Sequence, residues 1–175
     1  MTLPEPRSDE RYQAAAFVAG QIVLLGSQAC LRRRSRPPNW PPSMPVRAAT
    51  AGLAVGGSAI LITGSNSLGR GLTVSPLPNE HARLRTDGLY GVVRHPIYSG
   101  VIALSLARTL HSRDRRQAAL TVMLILLLAG KSSFEESALR QRFAEYPSYA
   151  AVTPRFVPHL PRFWSARKGA CTGTR

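Results

Sequence analysis

The residue types best suited to bind a small molecule lie together in the segment Arg94-His95-Pro96-Ile97-Tyr98. Proline has a fixed φ and no N–H group, so Pro96 suits the first turn of a helix. His95 then stands at the helix N-terminus, and Tyr98 lies close to it on the helix surface. Free backbone N–H groups at such a position attract a carboxylate. The segment therefore predicts a ligand-binding turn, although a belt of residues at a membrane boundary accounts for the spacing equally well.

Two adjacent carboxylates form a second candidate cluster, within Lys131–Leu139. The chain has only nine acidic residues, so the pair Glu135 and Glu136 is notable. The two serines that begin at Ser132 each stand three residues before a glutamate, which predicts a capping box and the start of a helix. Glu136 also stands four residues before Arg140, which predicts a surface ion pair. We therefore expect Glu135 to be the ligand contact.

Other catalytic and metal-binding patterns are weak. The four histidines are scattered, and the two cysteines, Cys30 and Cys171, give no zinc-binding spacing. The segment Gly64–Gly69 has spaced glycines but lacks the lysine of a phosphate-binding loop. The sequence contains no Gly-x-Ser-x-Gly motif of the kind that carries a nucleophilic serine. We therefore predict no metal site and no nucleotide-binding loop.

Two long apolar stretches indicate membrane spans. Residues 13–31 and 48–68 comprise 19 and 21 residues without a charge. At a rise of about 1.5 Å per residue, each is long enough to cross about 30 Å of hydrocarbon. The second stretch contains Gly52, Gly56 and Gly57, small residues that would allow another helix to approach closely.

Two shorter apolar stretches, residues 97–110 and 117–130, have 14 residues each. As helices they extend about 21 Å, which is short for a membrane crossing. We interpret them as a hairpin that enters the membrane; a pair of buried helices in a soluble bundle is the alternative. Residues 132–149 are predicted to form a separate amphipathic helix after the hairpin.

The formal net charge of +14 raises the question of a nucleic-acid partner. The arginines, however, stand in clusters between the apolar stretches. This distribution is typical of a membrane protein, because arginine is costly in hydrocarbon and favourable at the headgroups. The mean hydropathy of −0.08 reflects polar loops that dilute the apolar segments. We predict membrane lipids as partners and no nucleic acid.

These elements predict an all-α fold, a multi-pass membrane helical bundle of about four transmembrane or membrane-inserted helices plus a C-terminal amphipathic helix. We treat residues 1–175 as one integral-membrane domain, with a catalytic half at about 68–158 and polar tails at 1–11 and 165–175. An even number of crossings places 14 of the 23 Lys and Arg residues on the side of the catalytic half. We expect that side to be the active face and to face the cytoplasm.

The two clusters, in this order, resemble the isoprenylcysteine carboxyl methyltransferase family and the related phospholipid N-methyltransferases of the same membrane fold. The resemblance extends roughly over residues 68–158. The matching residues are Gly88-Leu-Tyr90, Arg94-His-Pro-Ile-Tyr98-Ser-Gly100, Glu135-Glu136-x-x-Leu139, and Tyr146-x-x-Tyr149 followed by Thr153-Pro-Arg-Phe-Val-Pro158.

The resemblance implies a methyltransferase that depends on S-adenosylmethionine. In the family, this cofactor is bound by the His-Pro-x-Tyr segment, the tyrosine before it and the first glutamate of the pair; a segment further upstream matches less well. The implied cofactor-binding residues are Leu84, Arg85, Tyr90, His95, Pro96, Ile97, Tyr98 and Glu135. We assign the positioning of the reacting groups to Tyr98 and Glu135.

The resemblance also implies a lipid-like methyl acceptor, with the C-terminal carboxylate of a prenylated cysteine as the nearest model. A substrate-contacting arginine of the prenylcysteine enzymes falls at Lys131, which keeps the charge but loses the bidentate fork. We expect Lys131 and Arg94 to contact the acceptor. A phospholipid, a quinone or another isoprenoid small molecule is an alternative acceptor. A non-catalytic basic membrane protein that binds anionic lipid is the alternative of another class.

Overall fold

A computed structural model describes residues 8–34, 42–68 and 84–158, and within these ranges the chain forms helices and no β-strand. The prediction of an all-α bundle is therefore confirmed. Most of the loop after the second apolar stretch and most of the predicted tails lie outside the described residues. The helices are α1 (Ser8–Arg34), α2 (Met44–Leu68), α3 (Leu89–Val92), α4 (Pro96–Ser112), α5 (Arg115–Arg142) and α6 (Tyr146–Val152).

Among the described residues, three helices are long and apolar enough to cross a membrane, namely α1, α2 and α5. The 17 residues of α4 extend about 26 Å. Large apolar side chains point away from the bundle: Ile22, Val55, Ile62 and Leu126 are between 61% and 71% exposed. Such a surface is unfavourable in water and suits contact with lipid. The bundle therefore has the organisation of a membrane protein.

Both long spans begin earlier than the apolar pattern predicts. Helix α1 starts at Ser8 and α2 at Met44, rather than at positions 13 and 48. Residues 8–11, which we assigned to a polar tail, are therefore helical. Asp9 and Glu10 stand in the first turn of α1, where a negative charge interacts favourably with the helix dipole.

The prediction of a separate amphipathic helix over residues 132–149 is wrong, because α5 continues without a break from the fourth apolar stretch. The hydroxyl of Ser132 donates to the carbonyl of Ala129 at 2.9 Å, so this serine lies inside the helix and does not cap it. The N-cap of α5 is Asp114, whose carboxylate accepts from the backbone N–H of Arg116 at 2.8 Å. No proline interrupts residues 117–142, and the Lys, Glu, Leu and Arg residues among them favour a helix.

Helices α2 and α4 approach each other at glycines. A Cβ atom on Gly100 would lie 2.8 Å from the carbonyl oxygen of Gly57, and one on Gly57 would lie 3.1 Å from that of Gly100. Gly64, two turns further along α2, faces the start of α4. The predicted close approach is thus confirmed at Gly57. It is wrong at Gly52 and Gly56, where a Cβ atom would meet open space.

Helix α1 packs antiparallel on α5. The rings of Phe17 and Phe134 lie 5.9 Å apart, and Leu24 forms the core with Leu124 and Leu128. Residue numbers therefore rise along α1 as they fall along α5. The first turns of α1, the last turns of α5, the end of α2 and the start of α4 consequently lie at one end of the bundle, and this end holds the site.

Candidate functional site

The two sequence clusters meet around the imidazole of His95. Its Nδ1 atom lies 3.4 Å from Oε2 of Glu135, and its Nε2 atom lies 3.1 Å from Oε1 of Glu136. The imidazole is buried, so both contacts are made away from bulk water. The turn before α4 and the acidic pair of α5, which the implied cofactor site combines, are therefore in contact.

Local sequence features build the turn that carries His95. Gly88, with a φ of 56°, precedes the short helix α3, and Val93 is extended and ends it. A φ in this range is strained for residues with a side chain, which accounts for a glycine here. His95 is the N-cap of α4, and Pro96 occupies the first turn. The predicted helix start at Pro96 is thus confirmed.

Glu136 binds two further cations. Arg155 donates from Nε to Oε1 and from Nη2 to Oε2 of this carboxylate, each at 2.9 Å. The Nη1 atom of Arg94 lies 3.5 Å from Oε2. The side chain of Glu136 is only 3% exposed. The predicted surface ion pair between Glu136 and Arg140 is therefore wrong.

The prediction of a Glu136–Arg140 pair was wrong because Glu136 lies on the face of α5 that points into the bundle. Leu124, Leu128, Ser132 and Glu136 recur every four residues and are all buried, so they form the inward face of one continuous helix. If a new helix is predicted to begin at Ser132, the four-residue spacing from Leu124 no longer assigns Glu136 to the inward face. The two parallel hydrogen bonds from an arginine fork are also stronger than a surface pair within one helix.

The segment after α6 lies across the His95 turn. The backbone N–H of Arg94 donates to the carbonyl of Pro154 at 2.8 Å, and that of His95 donates to the carbonyl of Arg155 at 3.1 Å. The ring of Phe156 lies 6.0 Å from the imidazole. The C-terminal part of the described chain thus forms one wall of the site.

Aromatic and cationic side chains extend the site toward α1. The ring of Tyr98 stacks on the imidazole of His95, with centroids 5.3 Å apart and planes 4° apart. The Nζ atom of Lys131 lies 5.4 Å from the centroid of the Tyr98 ring. Lys131 is buried and donates to Oε1 of Gln21 on α1 at 2.7 Å. Helix α1 therefore contributes to the site through Gln21.

Tyr90 closes the side of the site next to α2. Its hydroxyl donates to the carbonyl of Gly64 at 3.4 Å, and its own carbonyl accepts from the hydroxyl of Tyr149 at 2.6 Å. Burial, followed by the nearby charge of Glu135, raises the pKa of Tyr90. Tyr90 therefore remains an uncharged phenol.

Leu84 and Arg85 lie at the edge of the site, near the start of α3. Arg85 is exposed and pairs with Asp87 at 3.5 Å. The residues just before Leu84 lie outside the described ranges. The other predicted cofactor-binding residues surround or adjoin His95, and of these Pro96 and Ile97 contact α2 near Gly64.

The two glutamates favour the protonated imidazole of His95. Burial by itself lowers the pKa of His95, but hydrogen bonds and charges from Glu135 and Glu136 outweigh burial and raise it above its ordinary value of 6.5. In the imidazolium both ring nitrogens donate, which matches a carboxylate on either side. The ring is thereby fixed at both edges.

Two polar groups of the site have hydrogen-bonding capacity that a bound molecule could use. The Nε atom of Arg94 is buried and has no hydrogen-bond partner within the described part of the chain. The side chain of Glu135 is 24% exposed. One group donates and the other accepts. In residues 8–34, 42–68 and 84–158, no cluster of His, Cys, Asp and Glu has the arrangement of a metal site.

Sequence reasoning missed Glu136, Arg155 and Gln21 as parts of the site. Arg155 stands in the Thr153–Pro158 segment that carries part of the family resemblance, and this segment is the signal that identifies it. Gln21 is a polar residue inside an apolar span. Polar groups in lipid need partners, so its position is a signal too.

The fold and the site together define an all-α membrane bundle with a buried His–Glu–Arg cluster at one end. Over 83 residues the chain is 34% identical to Protein-S-isoprenylcysteine O-methyltransferase B of Arabidopsis thaliana. The match covers 46% of this chain and 42% of that protein, so the chain spans less than half of the relative's length. No family model matches the chain, and no solved structure matches it significantly.

Proposed function

We propose that the protein is a multi-pass membrane methyltransferase that binds S-adenosylmethionine at the His95 site and methylates a lipid-like acceptor. The observation that carries this proposal is the buried imidazole of His95 between Glu135 and Glu136, at one end of a membrane helical bundle. The similarity to a protein named as an O-methyltransferase supports the general class of reaction.

The chemistry of the site fits this cofactor. S-adenosylmethionine carries an ammonium group, ribose hydroxyls and a sulfonium. The partly exposed carboxylate of Glu135 suits the ammonium or the ribose. The rings of Tyr90 and Tyr98 suit a cation, a contact of about 0.5–2 kcal/mol. The proposed cofactor-binding residues are Tyr90, His95, Pro96, Ile97, Tyr98 and Glu135, with Leu84 and Arg85 at the edge.

The residues of the chain act by positioning. The cofactor supplies an electrophilic methyl group, and its transfer to a nucleophile is an in-line displacement. The protein lowers the barrier by aligning the partners and excluding water. Tyr98, stacked on His95, forms one wall, and Glu135 anchors the cofactor beside it. A carboxylate acceptor is already nucleophilic, so no side chain has to take a proton.

We propose the carboxylate of a prenylated cysteine as the nearest model of the acceptor. Arg94 offers a buried donor without a partner in the described residues, and Lys131 places an ammonium next to Tyr98. The exposed apolar sides of the helices support entry of a lipid tail from the bilayer. Since Lys131 cannot form a bidentate pair, a phospholipid, a quinone and another isoprenoid are acceptors to be tested alongside.

We further propose that the site faces the cytoplasm, because an even number of crossings would assign 14 of the 23 Lys and Arg residues to its side. The orientation is tested with variants that each carry one introduced cysteine and lack the native cysteines. Glu145→Cys at the site end is expected to resist an impermeant thiol reagent in intact cells, and Arg113→Cys at the opposite end to react. Labelling of the Glu145 position from outside would reverse the assignment.

The cofactor proposal is tested by titrating radiolabelled S-adenosylmethionine against the full chain in lipid nanodiscs. Glu135→Gln is expected to weaken binding by at least about tenfold, because a charged partner of the ligand is lost. Glu145→Gln removes an equal charge from an exposed position and serves as the matched control. Equal binding by the Glu135→Gln variant and the wild type would contradict the assignment.

The acceptor is tested by incubating the same protein with the radiolabelled cofactor and, separately, a prenylated cysteine, a phospholipid and an isoprenoid quinone. We expect label on the prenylated cysteine, as a base-labile methyl ester. Label on the phospholipid or the quinone would identify that lipid as the acceptor, and the proposal of a methyltransferase would stand. If the protein binds the cofactor but labels no lipid in a full membrane extract, the proposal that it is a methyltransferase is contradicted.

A further inference from the structure

The guanidinium of Arg155 is fixed by three hydrogen bonds to α5. Two go to the two oxygens of Glu136 at 2.9 Å, and the third goes from Nη1 to the hydroxyl of Ser133 at 3.1 Å. This fork sets the plane of the Glu136 carboxylate. The oxygen Oε1 that accepts from Arg155 Nε is the same atom that lies 3.1 Å from Nε2 of His95.

The backbone of Arg155 contacts the His95 turn as well. The first N–H groups of a helix, and those of the turn before it, have no partner within the helix. Here the carbonyls of Pro154 and Arg155 accept from the N–H groups of Arg94 and His95. One residue therefore holds His95 in two ways, through Glu136 and through its own carbonyl.

A third contact continues this arrangement into α4. The hydroxyl of Ser99 lies 2.7 Å from the carbonyl oxygen of Phe156 and 3.1 Å from that of His95. Residues 153–158, which we call the C-terminal strap, thus run along the first turn of α4. Of the side chains in the strap that the structure describes, that of Arg155 reaches the carboxylate at the centre of the site.

A purely stabilising role does not explain this geometry well. An exposed salt bridge contributes little to stability, and Arg155 is 34% exposed. Its partner Glu136 is almost fully buried, but without Arg155 it keeps the cations of Arg94 and His95, so it is not left as an unpaired buried charge. The arrangement therefore acts mainly on where the Glu136 carboxylate sits, and through it on the imidazole.

We propose that Arg155 is a positioning residue, which clamps the C-terminal strap and Glu136 onto the His95 turn and so holds the imidazole in the orientation that receives the cofactor. Only the last part of this statement, the cofactor, rests on the proposed function. The closure of the strap over the turn is a property of the chain by itself and is measurable without any ligand.

Hydrogen exchange of the full chain in nanodiscs tests the clamp. Arg155→Gln is expected to speed exchange at the amides of Arg94 and His95 by about tenfold or more, because their acceptors lie on the strap. Exchange in the middle of α4, around Leu104, is expected to stay unchanged, which shows that the bundle is folded. Arg140→Gln, an exposed arginine on the same helix end, is the matched control. Unchanged exchange at both turn amides would overturn the clamp.

Cofactor titration separates positioning from stability. Arg155→Gln is expected to weaken binding of S-adenosylmethionine by about tenfold, and saturating cofactor is expected to restore the protection of the two turn amides, since coupling between closure and binding is reciprocal. Arg155→Lys is expected to recover part of the affinity, because lysine keeps the charge without the fork. A Lys variant equal to wild type would show that charge alone suffices and would overturn positioning by the fork.

The two proposals fail in different ways. If the wild-type chain does not bind the cofactor, the proposed function is wrong, and the exchange experiment still decides whether Arg155 closes the turn. If the wild type binds but Arg155→Gln binds equally well, the proposed function stands and the positioning role is wrong.

Discussion

The two ends of the α4–α5 pair are joined by different chemistry. At the site end, His95 lies between the carboxylates of Glu135 and Glu136. At the opposite end, the hydroxyls of Thr109 and Thr121 lie 2.9 Å apart, and we call this the neutral end after that contact. The same two helices thus contact each other through ions at one end and through a pair of hydroxyls at the other.

The neutral end also buries an uncharged polar group. Gln117, near the start of α5, is buried, and neither of its polar atoms has a hydrogen-bond partner in the described ranges. Buried ions carry a larger desolvation cost than such an amide, and replacing them by apolar residues is often neutral or stabilising. The charged cluster is therefore better explained by binding than by helix association.

The largest effect is expected from Glu136→Gln, which breaks the charged end. The variant leaves the cations of Arg94, Arg155 and His95 without their shared carboxylate, and we expect a loss of about 3 kcal/mol in the free energy of unfolding. Denaturant unfolding in mixed micelles measures it. Glu145→Gln, with its exposed carboxylate, is expected to change little. A loss no larger than that of the control would mean that the cluster is solvated like a surface network.

A smaller effect is expected where the backbones of α2 and α4 approach each other closely. Gly100→Ala places a Cβ atom 2.8 Å from a backbone oxygen, so one helix has to shift, and we expect a loss of about 1–3 kcal/mol. Gly52→Ala, which meets open space, is the matched control and is expected to be neutral or slightly stabilising. Equal unfolding curves for the two variants would show that the α2–α4 contact is looser than described.

The charged end also predicts a pH dependence, which arises from His95. The folded pKa of His95 lies above its ordinary value of 6.5, so its contribution to stability is complete below pH 6.5 and is lost as pH rises through the folded pKa. We expect thermal stability to fall over that interval in the wild type. His95→Asn is expected to abolish this part of the dependence. His111→Asn, at the exposed far end of α4, is expected to keep it.

The smallest effect is expected at the neutral end itself. Thr121→Val removes one hydroxyl of the pair with Thr109, and hydrogen bonds between membrane helices average about 0.6 kcal/mol. The affinity for S-adenosylmethionine is expected to remain within twofold of the wild-type value, about 0.4 kcal/mol. A loss of cofactor affinity would show that the two ends are coupled, and it would weaken the contrast between them.

Local signals in the sequence were sufficient to mark the turn and the two clusters, whereas the family resemblance implied that the clusters share a site. Pro96 marks the start of α4 because of its own covalent geometry, so the position of His95 follows from one residue. The adjacent Glu135 and Glu136 mark the other half of the site by their rarity in a basic chain. The roles of these residues toward a cofactor stay predictions.

The partners of Glu136 were not predictable, because they depend on which face of α5 turns inward. An i, i+4 spacing to Arg140 is visible in the sequence, whereas the pairing with Arg155 requires the fold of the intervening chain. The prediction of where α5 ends was wrong for a related reason. Polar residues after an apolar run indicate the membrane boundary, and a helix does not have to end there.

The position of Arg155 along the chain has a consequence for biosynthesis. Ribosomal synthesis proceeds from the N-terminus, so α5, with Glu136 near its end, is made before the arginine that donates to both oxygens of that carboxylate. Of the cations that contact Glu136 in the folded protein, Arg94 and His95 precede it in the chain and Arg155 follows it. The site can therefore close only after all the described helices have been made, because residues 153–158 follow the last of them.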